Sequence, residues 1–158
     1  MKFVVPFVPS GVALSHDGGM AYVVGSGGFV TINLNSALLN FRVPIPRFTE
    51  PAQHIRLTPD GTRVVITQPA GDNALLIDAL PSSGSLGAVL DTIPLPGSPA
   101  DVAIDPSGQR AYLTDPAGSA VHAVEIRTGL PASGHILRSY ASSSALTGGI
   151  VVHPDGAR

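Results

Sequence analysis

Apolar and polar residues alternate along this chain in short runs, and the runs come in pairs around a glycine. The clearest pair lies within Pro99 to Asp115. Val102 to Asp105 reads as a short apolar strand, and Pro106-Ser107-Gly108 has turn chemistry. Arg110 to Thr114 alternates apolar and polar residues as a second strand should. A tight turn needs one residue at positive φ, and Gly108 adopts it without a Cβ clash. The pattern predicts a β-hairpin here.

Two relatives of this hairpin and a partial third occur elsewhere, aligned on Gly18, Gly61 and Gly156. Apolar triplets precede the glycines: Val12-Ala13-Leu14, Ile55-Arg56-Leu57, Val102-Ala103-Ile104 and Ile150-Val151-Val152. Tyr22-Val23-Val24, Val65-Ile66-Thr67 and Tyr112-Leu113-Thr114 begin four residues after the first three of them. A period in the forties, carried by short strands, predicts an all-β β-propeller with one four-stranded antiparallel sheet, or blade, per repeat.

In chain order, residues 2–9 are expected to form the outer strand of a preceding or closing blade, because Phe3 to Val5 resembles Ile93 to Leu95. Blade 1 then spans 12–47, with strands at Val12–Ser15, Met20–Val24, Phe29–Leu34 and about Leu39–Val43. Pro44 and Pro46 end the last of these, since proline cannot donate to a ladder. Blade 2 spans 55–97, with strands at Ile55–Thr58, Arg63–Thr67, Ala74–Ile77 and Val89–Leu95. Blade 3 spans 102–140, with strands at Val102–Asp105, Arg110–Thr114, Ala120–Ile126 and His135–Tyr140. Residues 150–158 start a fourth. Known propellers close with roughly four to eight blades. About three blades and one strand are therefore expected to be a partial propeller, completed by missing blades or by a second copy of the chain.

Composition narrows the function classes. Hydrophobic residues make up 44% of the 158 and charged residues only 13%, so short strands have ample apolar partners. The net charge is −2, and no basic run interleaves with aromatics, which disfavours nucleic acid as a partner. Cysteine is absent, which removes disulfide and thiol chemistry. No stretch approaches the 18 or so apolar residues of a membrane span. The opening residues, broken by Pro6 and Pro9, read as folded chain rather than as a leader peptide.

The segments Tyr22-Val23-Val24-Gly25 and Tyr112-Leu113-Thr114-Asp115 resemble the YVTN repeat of bacterial and archaeal surface-type β-propellers. The flanks are similar too, with a P-x-x-V-A-x-x-P-D-G pattern before the motif. After it comes an acid-ended strand, Leu75-Leu76-Ile77-Asp78 or Val121-His122-Ala123-Val124-Glu125. Asn33 replaces the acid in the first copy and Val65 the tyrosine in the second. The resemblance implies a periplasmic, secreted or surface propeller. Lactonase-like hydrolases share this repeat style.

In such a meander the residues that start each inner strand share one end with the loops between strands two and three. His54 and Asp101 hold equivalent positions there, as do Gly11 and Gly149. Gln68, Asp72, Asn73 and Asp115 stand on the loops. This channel mouth is the one place where polar groups of successive blades could meet a ligand. The bland reading of Asp101 and Asp115 is that they cap turns through nearby backbone.

His16 and His153 read as turn flanks and His122 as a polar-face residue of its strand. No histidine pair has zinc-site spacing, so no metal is expected. Gly25 to Gly28 opens a strand rather than a helix and so lacks a phosphate-binding helix N-terminus. No G-x-S-x-G elbow, catalytic constellation or cofactor motif is present. The residues favour a non-catalytic binding or interaction scaffold for an unknown ligand or protein. The alternative is a lactonase-type hydrolase whose site at the channel mouth is completed by other blades.

Overall fold

Twelve strands build three four-stranded antiparallel sheets in the computed structural model, which describes residues 3–36, 38–40 (backbone), 50–144, 146 and 149–156. The first sheet is β1 (Pro9–Leu14), β2 (Met20–Gly25), β3 (Gly28–Asn33) and β4 (Leu38–Asn40). The second is β5 (Ile55–Leu57), β6 (Arg63–Gln68), β7 (Asn73–Asp78) and β8 (Val89–Pro94). The third is β9 (Val102–Ile104), β10 (Arg110–Asp115), β11 (Ala120–Glu125) and β12 (Ile136–Ala141). Each sheet is a plain up-and-down meander in chain order. The innermost strands touch in series, β1 on β5 and β5 on β9.

The same turn closes the first hairpin of every sheet. Gly18, Gly61 and Gly108 have φ of 68°, 71° and 69°, and their N–H groups donate to Ser15, Thr58 and Asp105 carbonyls at 2.8–2.9 Å. Gly156 repeats it, with φ of 68° and a bond to the His153 carbonyl at 2.8 Å. At the same end of each sheet as this turn, the residue closing the third strand organises the next loop. Asn33 accepts from the Asn35 and Ser36 N–H groups, and Asp78 from the Leu80 N–H and the Ser83 and Ser85 hydroxyls. Glu125 accepts from the backbone and side chain of Arg127. The acid of the repeat therefore serves loop structure.

Strand alternation gives each sheet two apolar faces, and the sheets stack through them. We name the face toward the preceding sheet leading and the other trailing. Met20, Tyr22, Val24 and Phe29 on the trailing face of sheet one pack on Ile55, Val64, Ile66, Leu75 and Ile77 of sheet two. Val65, Ala74, Leu76 and Ile93 of sheet two pack in turn on Val102, Ala111, Leu113 and Val124 of sheet three. Full burial of a single Ile or Val here is worth roughly 1.5–3 kcal/mol, so these two interfaces are the core of the molecule.

Three expectations are corrected. Residues 3–8 form no strand; instead Phe3 and Phe7 lie on Ala21, Val23, Val30 and Ile32, the leading face of sheet one. The reason is an apolar surface with no preceding sheet among the described residues, which two aromatic rings cover. Residues 150–153 also lack strand pairing, because no described strand lies beside them. Their turn is formed all the same. The fourth strand of sheet one ends at Asn40 in the described chain, and the expected continuation to Val43, with Pro44 and Pro46, lies outside the described residues.

Candidate functional site

The mouth residues expected from the repeat do meet in part. His54 stands just before β5, and its N–H is fixed by the Thr67 hydroxyl at 3.1 Å. Asp101 stands just before β9, fixed in the same way by Thr114 at 2.9 Å. These equivalent threonines set both residues at the same height. The imidazole Nδ1 of His54 then lies 3.4 Å from Asp101 Oδ1, and Arg56 Nη2 lies 3.5 Å from the same oxygen. Arg56 shares the face of His54 by strand alternation, and sequence reading missed it.

The Asp101 carboxylate is nearly consumed. Oδ1 also accepts the Val102 N–H at 2.8 Å, and Oδ2 accepts the Ile150 N–H at 3.1 Å. Asp101 is buried, whereas the side chains of His54 and Arg56 keep 45% and 46% of their exposure. One buried acid thus joins the second sheet, the third sheet and the start of the next repeat, and leaves two nitrogen-bearing side chains at the surface. Gly11 and Gly149 sit at the matching positions. A Cβ on Gly11 would fall 3.0 Å from the Gln53 carbonyl oxygen, and one on Gly149 would fall 2.8 Å from Asp101 Oδ2. Successive repeats approach closely at both, and a side chain there would displace the Gln53 backbone or the Asp101 carboxylate.

The remaining loop candidates bond near their own loop, Asp72 through its backbone, while Asn73 Oδ1 is buried with no hydrogen-bond partner among the described residues. Asp72, at φ 48°, closes the short 3-10 turn Pro69–Gly71, and its carbonyl accepts the Leu95 N–H at 2.9 Å. Asn73 donates to the Gly71 carbonyl at 2.7 Å, and Gln68 to that of Glu50 at 2.7 Å. Asp115 is buried at the end of β10, where it accepts the Gly118 N–H at 3.0 Å. Among the described residues no hydrogen bond or ion pair joins Asp72, Asn73 or Asp115 to His54 or Asp101.

His122 departs from its polar-face reading. Its register opposite Leu113 turns it toward sheet two, where it is buried. Nδ1 lies 2.8 Å from Ser139 Oγ and Nε2 lies 3.6 Å from Asp115 Oδ2. Only the pairing register exposes this cluster, so sequence spacing gave no sign of it. His16 and His153 are exposed turn flanks, His153 with Nδ1 2.7 Å from Asp155. No group of three or more His, Cys, Asp or Glu side chains among the described residues is placed to hold a metal ion.

No family model matches the sequence, and no curated protein matches it. Solved structures do. Hydrazine synthase from Kuenenia stuttgartiensis superposes with a TM-score of 0.75 over 99% of this chain, at 17% identity. A functionally unknown protein from Desulfotomaculum acetoxidans superposes with a TM-score of 0.76 over 94% of it, also at 17% identity. The chain spans 42% and 47% of those two chains. At this identity the likeness concerns the fold alone. Three stacked four-stranded meanders about shared inner strands are the architecture of a β-propeller.

Proposed function

We propose that this chain is a YVTN-type segment of a β-propeller that serves as a non-catalytic binding scaffold, working outside the cytoplasm as the repeat resemblance implies. The observation that carries the reading is the state of Asp101. Its two oxygens hold His54, Arg56 and the Val102 and Ile150 amides. A carboxylate so engaged positions its neighbours and has little left for proton transfer or metal ligation. What the mouth offers is the half-exposed pair His54 and Arg56. Arg56 is a donor, and the His54 ring carries one donor and one acceptor nitrogen when neutral, so the occupant that suits the pair presents an acceptor oxygen, such as a carboxylate or carbonyl group, to Arg56.

Titration of the 15N-labelled chain with succinate, followed by amide shifts, tests this. Saturable shifts confined to residues 53–56 and 100–102 are expected, and they should vanish in Arg56→Ala. Saturable hydrolysis of simple lactones with added divalent metal, abolished by His54→Ala or Asp101→Ala, would replace the scaffold reading with a hydrolase.

A further inference from the structure

The bolt between successive sheets is built twice on one acceptor. Tyr22 Oη on the trailing face of sheet one donates to the Ala79 carbonyl of sheet two at 2.9 Å. Arg63 Nη1 on the trailing face of sheet two donates to the Ile126 carbonyl of sheet three at 2.5 Å, and Nη2 to that of Gly108 at 3.3 Å. Ala79 and Ile126 are the same position in the repeat, the residue after the acid that ends the third strand. Tyr and Arg are two solutions to one contact. Sheet three carries both at the equivalent positions, Tyr112 and Arg110. Among the described residues neither the Tyr112 hydroxyl nor the Arg110 guanidinium has a hydrogen-bond acceptor.

Arg110, Tyr112, Ala123, Leu137, Arg138 and Tyr140 line a shallow cavity of about 270 Å³. Tyr22, the counterpart of Tyr112, is 1% exposed, whereas Leu137 and Tyr140 on this outer part keep 46% and 45%. Residues 149–156 already sit where the inner strand of a next sheet belongs. Ile150 bonds Asp101, and a Cβ on Gly156 would pack 3.5 Å from Pro106 Cδ as one on Gly108 packs 3.3 Å from Pro59 Cδ.

We propose that the trailing face of sheet three is a docking surface for the outer three strands of a further sheet of this same repeat. Residues 150–153 are its inner strand, and Arg110 and Tyr112 recognise the carbonyl after its third strand. The seated segment 150–153 favours this occupant over a second copy of the chain, whose β1 would need the same place.

The test extends the chain after Gly156 with a copy of its own residues Thr62 to Gly97, which carries the Ala79 acceptor. The extension should raise the thermal midpoint by about 5 °C or more and protect the amides of residues 150–153 from hydrogen exchange. Arg110→Ala and Tyr112→Phe should each lower the midpoint of the extended chain by about 2–4 °C more than that of the 158-residue chain. An unaltered midpoint, unprotected amides, or equal losses in both chains would overturn the proposal. So would a 158-residue chain that sediments as a dimer with Tyr112 buried, which would make a second copy the occupant.

Discussion

The Tyr22 hydroxyl and the Ala79 carbonyl oxygen, 57 residues apart in sequence, are 2.9 Å apart in the interface between the first two sheets. Burial pushes the Tyr22 pKa up, and the nearby Asp17 and Asp78 charges add to it, so the phenol stays protonated and donates. Tyr22→Phe keeps the ring stack on Phe29, at 6.1 Å between centroids, and orphans the acceptor. An orphaned buried carbonyl costs about 1–3 kcal/mol. Urea unfolding should show that loss for Tyr22→Phe and a change within about 0.5 kcal/mol for Tyr112→Phe.

The turn glycines separate two penalties. A Cβ at Gly18 meets nothing within 4 Å, so the left-handed backbone at φ 68° is the main opposition to Gly18→Val, at about 1–2 kcal/mol. Valine at Gly108 carries the same backbone cost and also crowds Pro59 Cδ, 3.3 Å from its Cβ, across the interface between sheets two and three. Equilibrium unfolding should rank Gly108→Val below Gly18→Val in stability. Equal losses would show that the turns do not pack between sheets.

Asp101 ties residue 150 to the third sheet by a side-chain bond to its amide. Asp101→Ala should therefore accelerate hydrogen exchange at Ile150 at least tenfold while leaving the β10–β11 amides protected. It should also free His54 and Arg56. Uniform acceleration over the whole chain would mean that Asp101 supports the fold globally rather than this one joint.

Stability should fall on the acid side for a specific reason. The Arg127 side chain holds the Glu125 carboxyl below its ordinary value of 4.5, a pull that outweighs the opposing effect of burial. A depressed carboxyl stabilises the fold fully above its ordinary value, and that contribution is lost as pH falls through the depressed one. Glu125→Gln should thus be less stable than the parent at neutral pH and converge with it as acid is added. Urea midpoints against pH measure this, and a gap that stays constant into acid would refute the assignment.

The hairpins were legible because each depends on a local device, a glycine at positive φ beside an Asp or Ser, and strand limits differ by only a few residues from those the alternation predicts. The leading and trailing faces were also present in the alternation, for Met20, Arg63 and Arg110 align, as do Tyr22, Val65 and Tyr112. What no local pattern carries is which side chain meets which across sheets. The Tyr22 and Arg63 bolts, the burial of His122 against sheet two and the Arg56 contact with Asp101 all follow from register and stacking. Phe3 to Val5 misled for the same reason, since it holds the repeat position of Ile93 to Leu95 but nothing in the described chain supplies the strand it would pair with.

The central claim is that one interface, trailing face on leading face, is made repeatedly along the chain. Methyl and aromatic nuclear Overhauser contacts read it directly. The account predicts cross-peaks from Ile55 to Tyr22 and Val24, and the repeat-equivalent set from Val102 to residues of sheet two such as Val65. Contacts confined within each hairpin, with Ile55 and Val102 seeing only their own sheets, would contradict it.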